Sequence, residues 1–356
     1  MSAGRSRRRL LAAGSLLGAG AVLPAWPRAC AAAAAATASA TAQGPAQAAA
    51  AGAGRGPLTL AVTDSPHALP VLIAEKLGYF AAEGLPLRVL HFPVGRIGLE
   101  RLLAGEVHFA TVADAPIMFA SLKRNDFSIL ATITRSIGDN SMIVRADRAI
   151  QKPGDLRGKR VGTPRGSGGH FFVDTYLLLH GLTMADITLV PLDPARTVEA
   201  LVRGEVDAAG LFGTFASEAL RQLGPNGRVV PGPAFFAVNF NLVSAQASAG
   251  VSDADALRLL RAVERANELI RRNPAEARLL SSGILKLELK EVERSWEAFE
   301  YRLHLAQPLI LQLEAQVRWA LREKLVPPGS RAPEFLDMIR VEPLRQLDPR
   351  AVRLAR

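Results

Sequence analysis

Arg165-Gly166-Ser167-Gly168-Gly169-His170 is the stretch of this 356-residue chain whose residue types best fit one piece of chemistry, the holding of an anion. Glycines ahead of a helix leave its first backbone N–H groups uncovered, at the positive end of the helix dipole. A sulfonate, phosphonate or carboxylate suits such a loop, with Ser167 adding a hydroxyl and Arg165 a charge. Without a ligand the same residues are a turn that needs its glycines and a serine that caps the next helix.

Other loops supply weaker candidates. Ser65 and His67 follow the first apolar strand, Gly95-Arg96-Ile97 the second, and Asp114 and Phe212-Gly213-Thr214 two later ones. Arg96 can clamp an anion with both arms, or form a solvated i,i+4 pair with Glu100. Asp114 stands where a helix cap belongs; facing a cleft instead, it would favour an amine. Even if His67 and His170 met across a cleft, a metal would need further ligands. The chain has no His-x-x-x-His and no clustered carboxylates, so neither metal nor cofactor is expected.

These loops need elements to hold them, and a repeat shows how they are held. Leu99-Glu-Arg-Leu-Leu-Ala-Gly-Glu-Val-His-Phe-Ala110 returns as Val198-Glu-Ala-Leu-Val-Arg-Gly-Glu-Val-Asp-Ala-Ala209, with six identities in twelve positions. Each copy reads as an amphipathic helix stopped by glycine, then a short apolar strand and a helix-starting loop. In open α/β sheets, ligands bind beyond the carboxyl ends of strands, so two matching strand ends predict two half-sites facing across a cleft. Strand and helix patterns alternate from Leu58 to Leu223, the signature of parallel α/β lobes. Phe235 to Ser244 reads as an extended return segment. From Ser252 the chain is expected to be mostly helical, with helices over Asp253 to Arg272, Leu287 to Leu305 and Gln307 to Lys324. Trp296, Phe299 and Leu303, then Leu309, Leu313, Val317 and Leu321, keep helical spacing and read as core.

The first 56 residues stand apart. Arg5, Arg7, Arg8 and Arg9 precede an apolar run from Leu10 to Trp26, followed by small residues. That is an export signal over 1–30, with Ser6-Arg7-Arg8-Arg9-Leu10-Leu11 fitting the twin-arginine pattern and an ordinary Sec signal as the alternative. The Ala-rich tract over 31–56 reads as a disordered spacer. Five of the arginines behind the formal charge of +10 lie in the first 30 residues, and no later basic run suggests nucleic acid as a partner. Cys30 is the only cysteine, preceded by a poor lipobox, so no intrachain disulfide can form.

Ala74-Glu-Lys-Leu-Gly-Tyr-Phe-Ala-Ala-Glu-Gly-Leu85, Gly105-Glu-Val-His-Phe-Ala110, Asp155-Leu-Arg-Gly-Lys-Arg-Val161 and Gly204-Glu-Val-Asp-Ala-Ala209, in that order, resemble the periplasmic substrate-binding proteins of ABC importers for aliphatic sulfonates, taurine, nitrate and thiamine precursors. The resemblance implies a two-lobed α/β Venus-flytrap fold (type II) with two crossovers and a small ligand enclosed between lobes. On this reading 58–145 plus 238–356 form one lobe and 146–237 the other. The chain would be a periplasmic monomer without enzymatic activity, handing an anionic solute to an inner-membrane permease. A periplasmic ligand sensor is the alternative, or an enzyme of the same fold acting on a thiamine-precursor-like substrate. Two departures leave the ligand open: Gly168-Gly169 replaces a common hydroxyl residue, and Ala209-Gly-Leu-Phe212 lacks the tryptophan many relatives carry.

Overall fold

The computed structural model describes residues 57–230, 236–246 and 250–355. The expected export signal and spacer lie outside the described residues. From Leu58 the order is β1 (Leu58–Thr63), α1 (Leu69–Lys76), α2 (Tyr79–Ala82), β2 (Leu87–Phe92), α3 (Gly95–Leu103), β3 (Phe109–Ala113), α4 (Asp114–Ser121) and β4 (Phe127–Ile137). There follow β5 (Asn140–Arg145), β6 (Arg160–Thr163), α5 (Gly168–Leu179), β7 (Thr188–Pro191), α6 (Pro194–Arg203), β8 (Ala208–Phe212), α7 (Gly213–Leu223) and β9 (Gly227–Val230). The last part runs β10 (Ala237–Ala245), α8 (Asp253–Arg272), α9 (Pro274–Leu285), α10 (Leu289–Ser295), β11 (Phe299–Ala306), α11 (Gln307–Arg322), α12 (Glu342–Leu347) and β12 (Val352–Arg353).

Two mixed sheets result, ordered β12-β11-β4-β10-β3-β1-β2 and β7-β6-β8-β5-β9. Each carries its own flanking helices, giving two lobes. The sequence repeat becomes a topological one. β3 lies between parallel β1 and antiparallel β10, as β8 lies between parallel β6 and antiparallel β5. Even the unlike residues of the repeat do the same work. His108 Nδ1 accepts from the backbone N–H of Thr59 at 3.1 Å, and Asp207 Oδ2 from that of Arg160 at 2.9 Å. Each ties the strand that follows the repeat helix to the start of its parallel neighbour. Gly105 and Gly204 both take φ +75°, the left-handed geometry that ends the preceding helix.

Two expectations are corrected. Asn140–Arg145, expected in the first lobe, is β5, which pairs antiparallel with β8 and β9 of the second sheet. The first crossover is therefore the two-residue link Gly138-Asp139, where Gly138 adopts φ +84°. The helix expected through Leu305 stops at Ser295, and Phe299–Ala306 is a strand on β4. Tyr301, Leu303 and Leu305 are buried while Glu300 and Arg302 are exposed. That period of two competes with the helical Phe299–Leu303 spacing, and pairing with β4 decides it.

The cores are ordinary. β1, β3, β10 and β4 bury Leu60, Val62, Phe109, Val112, Ile129, Leu130, Leu242 and Val243, part of an apolar cluster that also takes in Leu259, Leu260 and Val263 of α8. Ser252 starts α8 by exchanging hydrogen bonds with Asp255, and Asn273-Pro274 ends it. A smaller cluster in the second lobe joins Ile143, Val198, Leu201, Val206 and Leu211. Among the described residues no helix is long and apolar enough to cross a membrane.

Candidate functional site

The glycine loop sits as expected between β6 and α5, and its residues divide sharply. Gly168 has nothing within 4 Å of where a Cβ would lie, so it faces open space. A Cβ on Gly169 would come within 2.9 Å of Thr163 Oγ1 and 3.3 Å of Gly210 O, so this glycine lets α5 pack on β8. Ser167 is the helix cap: its Oγ accepts from His170 N at 3.2 Å and donates to Pro164 O at 2.6 Å. Its proton is thereby committed to the loop, which corrects the expectation of a free donor. Arg165 is exposed at the loop's edge. The first amides of α5, those of Gly168 and Gly169, have no acceptor within the helix.

His170 is only 1% exposed, and the backbone N–H of Gly166 donates to its Nδ1 at 3.2 Å. That bond fixes the tautomer with the proton on Nε2. Burial, reinforced by the charge of Arg165, lowers its pKa to about 4. His170 Nε2 is buried and meets no hydrogen-bond partner. Beside it lies Trp319 of α11, the ring centroids 5.1 Å apart and edge-on, and Trp319 Nε1 is likewise buried without a partner. Trp319 also packs against Phe171 at 5.2 Å and Phe119 of α4 at 6.0 Å. Phe119 in turn lies 3.5 Å from the Cβ position of Gly166, so the tip of α4 touches the glycine loop. Two N–H donors and the open start of a helix thus gather where the lobes meet.

Trp319 belongs to a polar face of α11 that the sequence reading missed. Gln312, Gln316, Trp319 and Arg322 follow one another at helical spacing, and each reaches another element. Gln312 donates to Ala237 O at 3.3 Å, Gln316 to Asp114 Oδ1 at 2.9 Å and Arg322 to Asp174 Oδ2 at 2.5 Å. The apolar stripe of Leu309, Leu313 and Val317 announces the core-facing side, whereas glutamines and an arginine look like a solvated face.

Asp114 is 2% exposed and stands at the first position of α4, the capping position being Ala113. It therefore neither caps by its side chain nor lies open. Burial raises its carboxyl above the usual range, while hydrogen bonds from Gln316, Asn239 and Ala115 pull the other way. Asp114 fastens α4 to β10 and α11, and its oxygens are occupied.

His67 is buried beyond β1, its ring 5.2 Å from a tilted Phe240 and 5.2 Å from an edge-on Phe299. Its Nε2 hydrogen-bonds with Ser136 Oγ at 3.1 Å and lies 3.3 Å from Asp139 Oδ2. Both oxygens face the same ring nitrogen, whereas a nucleophile–base–acid relay uses opposite ones. His67 does not come together with His170, and among the described residues no group of three or more His, Cys, Asp or Glu could hold a metal. Ser65 Oγ is buried without a partner. Arg96 is an exposed i,i+4 partner of Glu100 at 2.5 Å. Phe212 ends β8, half-buried in edge contact with Phe215 at 5.9 Å, and Thr214 is exposed on the first turn of α7. Away from these strand ends, a surface depression of about 600 Å³ opens between α1, β2 and α9, lined by Leu72, Glu75, His91 and Leu279. It is open to solvent and carries none of the residues above.

Known proteins match this architecture. A putative aliphatic sulfonates-binding protein of Bacillus subtilis (strain 168) is 27% identical over 232 residues, which are 63% of this chain and 69% of that protein. The periplasmic aliphatic sulphonate binding protein SsuA from Escherichia coli superimposes with a TM-score of 0.69 at 19% identity, over 80% of this chain and 98% of that one. The desulfurization enzyme DSZB superimposes with a TM-score of 0.61 at 17% identity, over 83% and 99%, so the same fold also carries an enzyme. The family model described as NMT1/THI5 like matches residues 65–277, and the chain belongs to that family.

Proposed function

We propose that this chain is an extracytoplasmic solute-binding protein that captures a small anionic organic molecule, sulfonate-like, between its lobes and delivers it to an ABC importer. The observation that carries the reading is the set of unpaired N–H donors where α5, α4 and α11 meet. Gly168 and Gly169 offer first-turn amides, and His170 Nε2–H and Trp319 Nε1–H are buried beside them without acceptors. Buried donors left unpaired cost about 1–3 kcal/mol each, and an anion with several oxygens would satisfy them together. Aliphatic sulfonates are what the relative from Bacillus subtilis is named for binding, which supports the same ligand class here. A periplasmic location behind the Arg7-Arg8 export signal and action as a monomer complete the proposal. Closing the lobes would let both half-sites touch the ligand at once.

Calorimetry with alkanesulfonates, phosphonates, carboxylates and neutral or cationic controls tests it, in the parent and in Gly168→Asp. The substitution faces open space and places a carboxylate at a helix start, which favours folding, yet sets a negative charge against the bound anion. Anions should bind the parent and lose at least tenfold in the variant. Binding confined to neutral or cationic compounds would sink the assignment, as would an unaffected Gly168→Asp. The fold alone does not choose between solute capture and catalysis; turnover of a bound sulfonate, followed by mass spectrometry, would establish the latter.

A further inference from the structure

The first crossover holds unpaired polar atoms too, two of which can only accept. Gly138 and Asp139 are the whole link between β4 and β5, and the Asp139 side chain, on this short bridge, is only 6% exposed. Its Oδ2 lies 3.3 Å from His67 Nε2, but the hydrogen bond of that nitrogen is with Ser136, and Oδ2 accepts none. The next residue, Asn140, is 8% exposed, and its Oδ1 is also buried without a partner. Thr134 Oγ1, one pleat before Ser136 on β4, and Ser65 Oγ, two residues before His67, are in the same condition. Tyr301 and Phe299 of β11 pair with Thr134 and Ser136, closing this cluster from the first-lobe side. Among the described residues His67 is the one basic side chain within ion-pair distance of Asp139.

A carboxylate oxygen and an amide oxygen can only accept, and buried polar atoms in folded proteins are nearly always paired. Asp139 Oδ2 and Asn140 Oδ1 therefore lack donors, just as His170 Nε2 and Trp319 Nε1 lack acceptors, whereas the Thr134 and Ser65 hydroxyls can act either way. We propose that Asp139, with His67 beside it, and the next residue Asn140 form a second subsite that receives a hydrogen-bond-donating group of the ligand, an ammonium or a hydroxyl. This rests on the interlobe solute-binding reading and narrows its substrate class to amino- or hydroxy-substituted organic anions. Asp139 supplies the charge that would favour ammonium over hydroxyl, and Asn140 accepts from either.

Calorimetry on the full chain separates the possibilities. The probes are alkanesulfonates of two to four carbons, their ω-hydroxy and ω-amino counterparts, and alkylamines and alkanols of the same lengths. At one length or more the substituted sulfonates should bind at least about tenfold tighter than the plain one, the effect of a single charge-assisted hydrogen bond. Asp139→Asn should bring amino and hydroxy compounds to within about threefold of each other, and Asn140→Ala should shrink the advantage of both over the plain sulfonate. Equal binding of plain and substituted sulfonates by the parent overturns the subsite and leaves the anion reading standing. So does an advantage that persists in both folded variants, each checked by circular dichroism; if one fails to fold, the other decides. Alkylamines that bind as tightly as aminosulfonates, and are weakened by Asp139→Asn, uphold the subsite and overturn the anionic head. If no probe binds the parent, both fall.

Discussion

His170 shows how far one side chain can be defined by its neighbours. The amide of Gly166 occupies Nδ1, the ring of Trp319 covers one side, and burial holds the imidazole neutral with a pKa of about 4. The unfolded chain should titrate near 6.5, so the unfolded state binds a proton over a range where the folded state does not. The stability this histidine contributes is therefore fully present above about pH 6.5 and lost as the pH falls toward 4, by at most about 3 kcal/mol. Urea denaturation between pH 4 and 7.5 should show that slope, and His170→Gln should flatten it. A slope of the same size in the variant would assign the pH dependence to other groups. Ser167 makes the complementary point. A hydroxyl beside a glycine loop suggests a ligand donor, yet the helix cap takes both its acceptor and its proton.

Among the elements, α5 and β8 approach so closely that a side chain is crowded out at one glycine, while another at the start of α5 has room for one. A Cβ on Gly210 would come 2.2 Å from Val173 Cγ2, whereas one on Gly168 meets nothing within 4 Å. Gly210→Ala should cost about 1–3 kcal/mol in chemical denaturation, the penalty for forcing an extra group into packed core. Gly168→Ala should cost less than about 0.5 kcal/mol. Equal losses would mean that α5 shifts away from the sheet without penalty. Such contrasts also mark what could be read from residues alone. The repeat, the glycine loop, Ser167 and His170 were legible because glycine stops, caps and apolar periods are local signals. Trp319 and Gln316 were not, because their face of α11 has the composition of a solvated surface and its partners lie far along the chain. Asp139 and Asn140 escaped for another reason, since a two-residue crossover has no period and its meaning comes only from the sheets it joins. β11 is ambiguous in sequence because Phe299 and Leu303 satisfy both a helical and an alternating pattern, and only pairing with β4 separates them.

At the scale of the whole molecule, α11 packs with the first lobe yet grips the second through Trp319 and Arg322. Arg322 reaches Asp174 of α5 at 2.5 Å, and the Asp174 side chain is 3% exposed. Burial raises the Asp174 carboxyl above its ordinary range, Arg322 pulls it down, and Glu323 adds to the rise. A folded pKa above the unfolded one means that this group costs stability as the pH climbs through the carboxylate range and leaves it ionised. Arg322, itself half-exposed, limits that cost, because removing it would strand an uncompensated charge on the buried Asp174. Arg322→Ala should therefore lose more than about 1 kcal/mol at pH 8 and much less at pH 4.5, where Asp174 can take up a proton. A partly relieved alternative is for the lobes to part and hydrate the carboxylate, so small-angle scattering of the variant at pH 8 should give a larger radius of gyration than the parent. The double substitution Asp174→Asn with Arg322→Ala removes the stranded charge, and it should restore both the compact radius and most of the stability. If Arg322→Ala loses the same amount at both pH values and Asp174→Asn returns nothing, then Arg322 acts through the packing of its aliphatic stem. The grip of α11 on the second lobe would then reside in Trp319, whose ring already lies against His170 and Phe171.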